Sequence, residues 1–535
     1  MIFRSRLSVC FSVLFLFVVC TVANAQRRRS AAPPSASPAS PQESASKPAP
    51  APPAEPKHAA PEVPPVVTHH EIHVGGKTLR YTATAGMMPL TNPDTGEVEA
   101  HIFYIAYTLD GQSPEKRPLT FSFNGGPGSA SVWLHLGAIG PKRVRMQPDG
   151  MMPAPPYQLI DNEYTWLDQT DLVFIDPVGT GYSRAVKRDQ TKKFIGLRGD
   201  IESVGDFIRL YLSRYDRWAS PLFMVGESYG TTRAAGLSGY LFEHGIAFNG
   251  IMLISSIMNF QTTEFTVGND LPYILFLPSY ADIAWYHKKL GSEFPTLDKL
   301  HAEVEAWAIG PYNDALAKGD RLTPQERADV VDHLARYTGL SKQYIELHNL
   351  RITEPEFTTE LLRDQGKIVG RLDGRFTGDT RENQAGPAAG GTSFPNDDPS
   401  MSAIRPPYTA MFNQYVRTEL GYKSDLEYYI LGGGFRFNEW DWGVQRGGFP
   451  DTAESLKDAF DKNPFMKLFI ANGYFDLATP YFGTRYTINH MGLTADEHKR
   501  ISLGYYPAGH MMYIQDKSLG ELKKDVSGFI ENALK

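Results

Sequence analysis

The chain has 535 residues, of which 42% are hydrophobic and 21% are charged, and its formal net charge is −7. This composition supports a packed core over most of the length, which excludes a wholly disordered or fibrous protein. The mild acidity offers no clustered basic face, so we expect no nucleic-acid partner.

The first 25 residues have the pattern of a secretory signal peptide. Arg4 and Arg6 form a basic start, residues 7–19 are apolar, and Ala23-Asn24-Ala25 supplies a cleavage site of small residues. The apolar run is shorter than the ~20 residues that span a bilayer. We therefore expect residues 1–25 to be removed and no membrane span to remain.

The two cysteines of the chain, Cys10 and Cys20, both lie inside this leader. The exported protein would then fold without a disulfide, held by its core alone. Export without cystines favours a bacterial periplasm over a eukaryotic secretory route. The sequence predicts an exported, periplasmic or secreted, bacterial protein.

Residues 26–66 carry 12 of the 39 prolines, interleaved with Ala and Ser. Such a segment buries too little apolar area to offset its ordering entropy, so we expect a disordered, polyproline-like linker. Folded sequence should begin near Val67. Three segments of β-branched, aromatic or alternating residues then predict an antiparallel start, at Glu71–Val74, Leu79–Thr84 and His101–Thr108.

From Leu119 onward, short apolar runs end in glycine-rich turns and alternate with helical stretches. These runs predict buried strands at Leu119–Phe123, Asp171–Ile175, Pro221–Val225, Ile251–Ile254, Lys467–Ile470 and Arg500–Tyr506. Buried strands alternating with helices are typical of an α/β protein with a mainly parallel, doubly wound sheet. Ligands in such sheets bind at the carboxyl ends of the strands, where these turns lie.

The strand pattern disappears between residues 259 and 434, which predicts a helical insertion over the sheet. The segment Thr323–Glu326 is a capping box, and Leu297–Trp307 has apolar residues at helical spacing. Residues 378–403, rich in Gly, Asp and Pro, are predicted to form a mobile loop. The core would then consist of residues 67–258 and 435–535.

The segment Gly226–Gly230 fits the G-x-S-x-G nucleophile elbow, in which a tight strand-to-helix turn presents a serine above the sheet. A serine needs a base, and the base needs an orienting carboxylate. In α/β hydrolases these groups follow in the order Ser, acid, His, each after a later strand. Ser228, Asp476 and His510 satisfy this order, and we predict them as the catalytic triad.

A tetrahedral intermediate needs two backbone donors. We expect them at Tyr229, directly after the nucleophile, and at Gly126 in the earlier turn Asn124–Gly128. This turn resembles a phosphate loop, but no Lys-Ser/Thr follows it, so nucleotide binding is not expected. No metal or other cofactor is predicted.

Five segments together resemble the serine carboxypeptidase family, in family order and over most of the folded chain. They are Asn124–Ser129, Phe174–Ser183, Gly226–Gly230, Asn472–Asp476 and Gly509–Met511. The resemblance implies an α/β-hydrolase core with a helical insertion. It also implies an exopeptidase that removes the C-terminal residue of peptide substrates through an acyl-enzyme intermediate.

The resemblance gives three further residues a role, with Asn124, Gly125 and Glu227 holding the terminal carboxylate of the substrate. A carboxyl binds a carboxylate only by donating a proton, so Glu227 must be protonated and acid pH should favour peptide cleavage. The sequence departs from the family where members carry a Trp, here Ser122, and an acid, here Ala138-Ile139. The Gln usual between Asp176 and Pro177 and the family's disulfides are also missing.

Three hypotheses stay open at this point. The first is a serine carboxypeptidase, and the second is an esterase or acyltransferase that uses the same triad. The third is a non-catalytic binding protein that uses the linker and the insertion as contact surfaces. The oligomeric state is left open.

Overall fold

A computed structural model describes residues 63–380, 398–444 and 447–535. The predicted signal peptide, residues 26–62 of the predicted linker and residues 381–397 of the predicted mobile loop lie outside these ranges. Strand β1 starts at Val66, one residue before the predicted beginning of the fold.

The described residues contain fourteen strands. They are β1 (Val66–Val74), β2 (Lys77–Thr91), β3 (Val98–Leu109), β4 (Leu119–Phe123), β5 (Lys142–Val144), β6 (Leu159–Asp161), β7 (Asp171–Ile175), β8 (Arg184–Ala185), β9 (Leu222–Ser228), β10 (Gly250–Ser256), β11 (Lys367–Val369), β12 (Thr377–Asp379), β13 (Lys467–Gly473) and β14 (Ile501–Tyr506). All nine predicted strands are present, some of them longer than predicted.

The described residues also contain fourteen α-helices, besides short 3-10 and π turns. They are α1 (Val132–Leu134), α2 (Leu197–Arg214), α3 (Tyr229–Glu243), α4 (Leu271–Tyr286), α5 (Leu297–Trp307), α6 (Asn313–Lys318), α7 (Pro324–Thr338), α8 (Lys342–Leu347), α9 (Glu354–Glu360), α10 (Pro399–Thr418), α11 (Ala453–Lys462), α12 (Tyr481–His490), α13 (Ala495–His498) and α14 (Asp516–Ala533). The predicted capping box at Thr323 starts α7.

The central sheet has the strand order β1-β2-β3-β7-β4-β9-β10-β13-β14, with β8 paired to β3. The first three strands are antiparallel, and β3 is antiparallel to β7. From β7 to β14 every neighbouring pair is parallel. A mainly parallel sheet with an antiparallel start, and with the serine of a nucleophile elbow at the end of an interior parallel strand, here β9, is the α/β-hydrolase fold.

The sheet separates two cores because successive side chains of a strand point to opposite faces. On β9, Phe223 and Val225 join one buried cluster, whereas Leu222 and Met224 join the other. Both faces of the parallel strands are therefore covered, which explains why these strands are continuous apolar runs in the sequence. The site lies at the carboxyl edge of this double-covered sheet.

The predicted insertion, residues 259–434, contains helices α4–α10 and most of a third apolar cluster. Two details differ from the sequence prediction. A two-stranded hairpin, β11–β12, interrupts the helices, with Lys367 opposite Asp379. Helix α10 begins at Pro399, so the end of the predicted mobile loop is a helical turn, capped by the Asp398 side chain on the Ser400 N–H.

Candidate active site

The nucleophile elbow places Ser228 at the junction of β9 and α3. The residue has φ 59° and ψ −132°. Residues other than glycine rarely adopt this backbone conformation, and those that do are often found at functional sites. Gly226 allows the turn to close, because a Cβ there would lie 2.1 Å from the carbonyl oxygen of Gly230. This turn therefore requires glycine at position 226, because no larger residue fits there.

The turn Asn124–Gly128 follows β4 and lies directly against the elbow. A Cβ on Gly125 would lie 2.4 Å from the Tyr229 nitrogen, so the two chain segments touch through their backbones. Within the described residues, the N–H groups of Gly126 and Tyr229 donate no hydrogen bond. Gly126 and Tyr229, whose N–H groups are the predicted oxyanion donors, line the same cavity as Ser228.

A buried ion pair holds this contact in place. Arg233 of α3 donates to the Asn124 carbonyl at 2.7 Å and to the Asp200 carboxylate at 2.7 Å. The Tyr229 hydroxyl donates to the same carboxylate at 2.9 Å. These groups are almost fully buried, and a buried, fully paired charge resists displacement because separating it leaves an uncompensated ion.

The acid and the base come from loops after β13 and β14. Asp476 accepts a hydrogen bond from His510 Nδ1 at 2.7 Å, and both side chains are buried. Asp476 also accepts from the backbone N–H groups of Ala478 (2.7 Å) and Thr479 (3.0 Å), and from the Thr479 hydroxyl (2.7 Å). This network fixes the carboxylate, which in turn selects the imidazole tautomer with a proton on Nδ1.

The pKa of His510 is raised above its usual value of 6.5. Burial alone would lower this pKa, but the charge and hydrogen bond of Asp476 and the nearby Glu227 outweigh it. A neutral imidazole is the form that accepts a proton from serine. The raised pKa means that the surroundings stabilise the imidazolium of His510, which is the form that a proton transfer from serine would produce.

The hairpin loop between β11 and β12 clamps both loops from the insertion side. The His510 N–H donates to the Leu372 carbonyl at 2.6 Å, and the Gly509 N–H donates to the Asp373 carboxylate at 3.1 Å. On the acid loop, the Leu477 N–H donates to the Arg371 carbonyl at 3.0 Å. The position of His510 therefore depends on residues of the insertion.

Glu227 precedes the nucleophile and is 3% exposed. Burial raises its pKa to about 7, against the opposing effects of His510, Tyr513 and Asn124. The Tyr513 hydroxyl donates to Glu227 Oε2. The Oδ1 of Asn124 accepts from the Leu134 N–H at 3.1 Å, while its buried Nδ2 makes no hydrogen bond of good geometry.

A cavity of about 640 Å³ opens over these groups. Seven of the eight predicted site residues line it, and Asp476 lies behind His510. Much of the remaining cavity wall comes from the insertion and includes Glu354 and Arg371, which form an ion pair at 3.6 Å. The arrangement can activate a hydroxyl, stabilise an oxyanion and offer buried donors to an anionic group beside the nucleophile.

Among the described residues, no group of three or more His, Cys, Asp or Glu side chains is placed to hold a metal ion. No helix in the described ranges has the length and apolar character that crossing a bilayer requires.

Sequence reasoning missed three supports of the site. Thr479 lies three residues after Asp476, a spacing typical of a local side-chain cap, which was a usable signal. Tyr513 and Asp373 gave no signal, because they contact residues hundreds of positions away or in another chain segment.

The sequence is also similar to known proteins, among them serine carboxypeptidases. The family model described as "Serine carboxypeptidase" matches residues 79–293. "Serine carboxypeptidase-like 33" of Arabidopsis thaliana is 26% identical over 225 residues, which is 38% of this chain and 42% of that protein. "Pheromone-processing carboxypeptidase KEX1" of Saccharomyces cerevisiae is 33% identical over 159 residues, which is 27% of this chain and 20% of that protein.

The chain thus matches less than half the length of these curated relatives, and the resemblance to serine carboxypeptidases inferred from the five motifs is confirmed over that part. Among solved structures, a proline iminopeptidase of Mycobacterium smegmatis covers 84% of this chain and 99% of its own, at 13% identity and a TM-score of 0.36. The assignment of the fold comes from the strand order and the elbow.

Proposed function

We propose that this relative of the serine carboxypeptidases is itself a serine-type carboxypeptidase that releases C-terminal residues from peptides. The observation that carries the proposal is one cavity lined by Ser228, His510 and the buried donors Asn124 and Glu227. Ser228 and His510 are needed for hydrolysis of any acyl substrate, whereas Asn124 and Glu227 are not. The latter two provide for a carboxylate next to the scissile bond, which the free C-terminus of a peptide supplies.

In the proposed mechanism, Ser228 Oγ attacks the carbonyl carbon of the last peptide bond and His510 takes its proton. Asp476 keeps the imidazole in the required tautomer, and the N–H groups of Gly126 and Tyr229 stabilise the oxyanion. His510 then gives the proton to the leaving amine, which departs as the free C-terminal residue. Water, activated by the same imidazole, hydrolyses the acyl-enzyme.

Asn124, Gly125 and Glu227 would bind the terminal carboxylate. The Nδ2 of Asn124 is a buried donor without a partner of good geometry, which costs free energy unless a ligand accepts from it. Burial raises the pKa of Glu227 to about 7, so below that pH its carboxyl carries a proton to donate. An anionic acceptor satisfies both groups.

The test compares an N-blocked dipeptide with a free C-terminal carboxylate against its amide. We expect kcat/KM for the free acid to exceed that for the amide at least tenfold, and Ser228→Ala to abolish both. Equal cleavage of the two, or ester hydrolysis without peptide cleavage, would favour the esterase or acyltransferase alternative. Failure of a fluorophosphonate probe to label Ser228 would favour a non-catalytic binding protein.

The pH profile of the free acid should be bell-shaped. Activity is lost as pH falls through the pKa of His510, because the base becomes charged, and is lost as pH rises through about 7, because Glu227 loses its proton. The two groups interact, so the limbs describe the pair. The amide should show only the limb of His510, and a bell-shaped profile for the amide would contradict this assignment.

We also propose export, supported by the signal-peptide pattern of residues 1–25 and by the placement of both cysteines within it. A bacterial periplasm is the compartment that fits best a disulfide-free exported enzyme. Cell fractionation with N-terminal sequencing tests this, and an N-terminus before residue 20 on the purified protein would contradict cleavage at the Ala23-Asn24-Ala25 site.

A further inference from the structure

The Glu227 carboxyl has two oxygens in different surroundings. Oε2 accepts a hydrogen bond from the Tyr513 hydroxyl. The Asn124 side chain also lies close enough to lower the pKa of Glu227, but its Nδ2 makes no hydrogen bond of good geometry, so Tyr513 is the side chain that occupies an oxygen of this carboxyl. Tyr513 is 1% exposed and belongs to the turn Met512–Ile514, three residues after His510. One side chain of the base loop thus binds the residue that precedes the nucleophile.

We propose that Tyr513 is a specificity-determining residue, whose hydroxyl occupies Oε2 of Glu227 and so leaves the acidic proton of that carboxyl on Oε1, for donation to the terminal carboxylate of a peptide. This inference rests on the proposed function. A protonated carboxyl is a donor through one oxygen only, while the other oxygen remains an acceptor. The Tyr513 hydroxyl donates its proton to Oε2, so Oε2 acts as the acceptor oxygen and the acidic proton of Glu227 belongs on Oε1.

The packing around Tyr513 supports a fixed orientation of its ring. A Cβ on Gly137 would lie 2.6 Å from Tyr513 Cε2 and 2.6 Å from the Tyr408 hydroxyl, so both rings pack directly on the backbone of that glycine. The same segment, Gly137–Pro141, is where the sequence has Ala138-Ile139 in place of the family's acid. Without that acid, Tyr513 is the side chain that binds Glu227 Oε2.

The electrostatic surroundings decide how a loss of the hydroxyl would act. The titratable groups that face Glu227 come from two loops and one helix. His510 and Tyr513 lie in the loop after β14, Asp476 lies in the loop after β13, and Tyr408 lies in α10. Tyr513 favours the charged form of Glu227 and so lowers its pKa, against the larger effect of burial. Without the hydroxyl, the pKa of Glu227 rises further, and the proton is free to sit on either oxygen.

The test uses Tyr513→Phe on the full chain, with the free-acid dipeptide and its amide. We expect kcat/KM for the free acid to fall about 5–10-fold, mainly through KM, as for one lost charge-assisted contact. The amide should change less than twofold. The alkaline limb for the free acid should move to higher pH, which a merely structural defect would not produce.

Tyr505→Phe is the matched control, because the Tyr505 hydroxyl is buried without a hydrogen-bond partner in the described residues. Tyr505→Phe should leave kcat/KM unchanged for both the free acid and the amide. Gly137→Ala is a second variant that keeps the hydroxyl but displaces the ring, and it should reproduce the selective loss for the free acid. Active-site titration with a fluorophosphonate corrects all rates for the folded fraction, so partial misfolding does not obscure the ratio.

The possible outcomes separate the two proposals. If the wild type cleaves the free acid and the amide equally well, the carboxypeptidase proposal fails and this inference fails with it. If the wild type prefers the free acid, and neither Tyr513→Phe nor Gly137→Ala changes that preference or the alkaline limb, only the role of Tyr513 is overturned. A loss of equal size for both substrates also overturns it.

Discussion

The two halves of the site are held together in different ways. The nucleophile half consists of the elbow Gly226–Gly230 and the turn Asn124–Gly128, which touch through glycine backbones and a buried ion pair within the core. The base half consists of the loops with Asp476 and His510, and it is held by the hairpin loop of the insertion.

This difference has a physical consequence. A side chain at Gly125 or Gly226 would collide with backbone atoms of the elbow, so the nucleophile half tolerates no larger residue at these two positions. The base half depends on hydrogen bonds across the junction of core and insertion, at Leu372 and Asp373. We expect its geometry to respond to changes in the insertion.

The largest effect is expected in the nucleophile half, for Gly125→Ala. The added Cβ would lie 2.4 Å from the Tyr229 nitrogen and 2.6 Å from the Gly230 nitrogen, both backbone atoms that cannot move aside. The N–H groups of Gly126 and Tyr229, the proposed oxyanion donors, would be pushed apart. We expect kcat to fall about 10²–10³-fold, the usual effect of losing one oxyanion donor.

Gly528→Ala in α14 is the control, because a Cβ there meets no atom within 4 Å. It should leave kcat unchanged and raise the free energy of unfolding by up to about 1 kcal/mol, since Ala favours a helix more than Gly. Steady-state kinetics and thermal unfolding measure the pair. A Gly125→Ala enzyme with nearly normal kcat would show that the turn and the elbow are less tightly joined than the structure indicates.

The sequence predicted the nucleophile half better than the supports of the base half. The elbow and the Asn124–Gly128 turn are local patterns whose residues are adjacent in the chain. Asp476 and His510 were predicted from their order and from the strands before them, and the structure joins their side chains by a hydrogen bond. Asp373 could not, because its contact with Gly509 joins residues far apart in the chain and belongs to no motif.

The fold shows the same division. Buried parallel strands are apolar runs that a sequence reveals, whereas β11 and β12 have three residues each, too few for an alternation to be visible. The start of α10 did carry a signal, since Asp398-Pro399 is an N-cap followed by Pro at the first helical position. The surrounding Gly, Asp and Pro residues hid it within a predicted loop.

An intermediate effect is expected in the base half, for Asp373→Asn. Asp373 accepts from the Gly509 N–H and forms a buried ion pair with Arg375 at 2.6 Å. Loss of its charge would leave Arg375 unpaired and loosen the loop that carries His510. Because small displacements of a catalytic group are costly, we expect kcat to fall about 10–100-fold and the melting temperature to fall as well.

The control is Asp171→Asn, which breaks a similarly buried ion pair, with Arg217 at 2.7 Å, at the amino end of β7 and so at the opposite edge of the sheet. Both variants should unfold at lower temperature. Only Asp373→Asn should reduce kcat per titrated active site. Equal kcat values in the two variants would mean that the insertion stabilises the fold without positioning His510.

The smallest effect is expected for Thr479→Val, which removes only a hydroxyl. That hydroxyl donates to Asp476 Oδ2 at 2.7 Å, while the carboxylate keeps its two backbone donors and His510. Loss of one hydrogen bond among four should lower kcat about 3–10-fold. The carboxylate charge that remains is less dispersed and interacts more strongly with the imidazole, so the pKa of His510 should rise.

The sign of this shift is what distinguishes positioning from damage. A raised pKa of His510 moves the acid limb of kcat/KM to higher pH. An ester substrate without a free carboxylate shows this limb without the alkaline limb that Glu227 adds for the free acid. Thr338→Val, whose buried hydroxyl donates to the Leu334 carbonyl at 2.6 Å in α7, is the control and should leave the limb in place. An acid limb that stays or moves to lower pH in Thr479→Val would mean that the hydroxyl acts on the imidazole itself, which it also approaches to 3.2 Å at Nδ1, and not through Asp476.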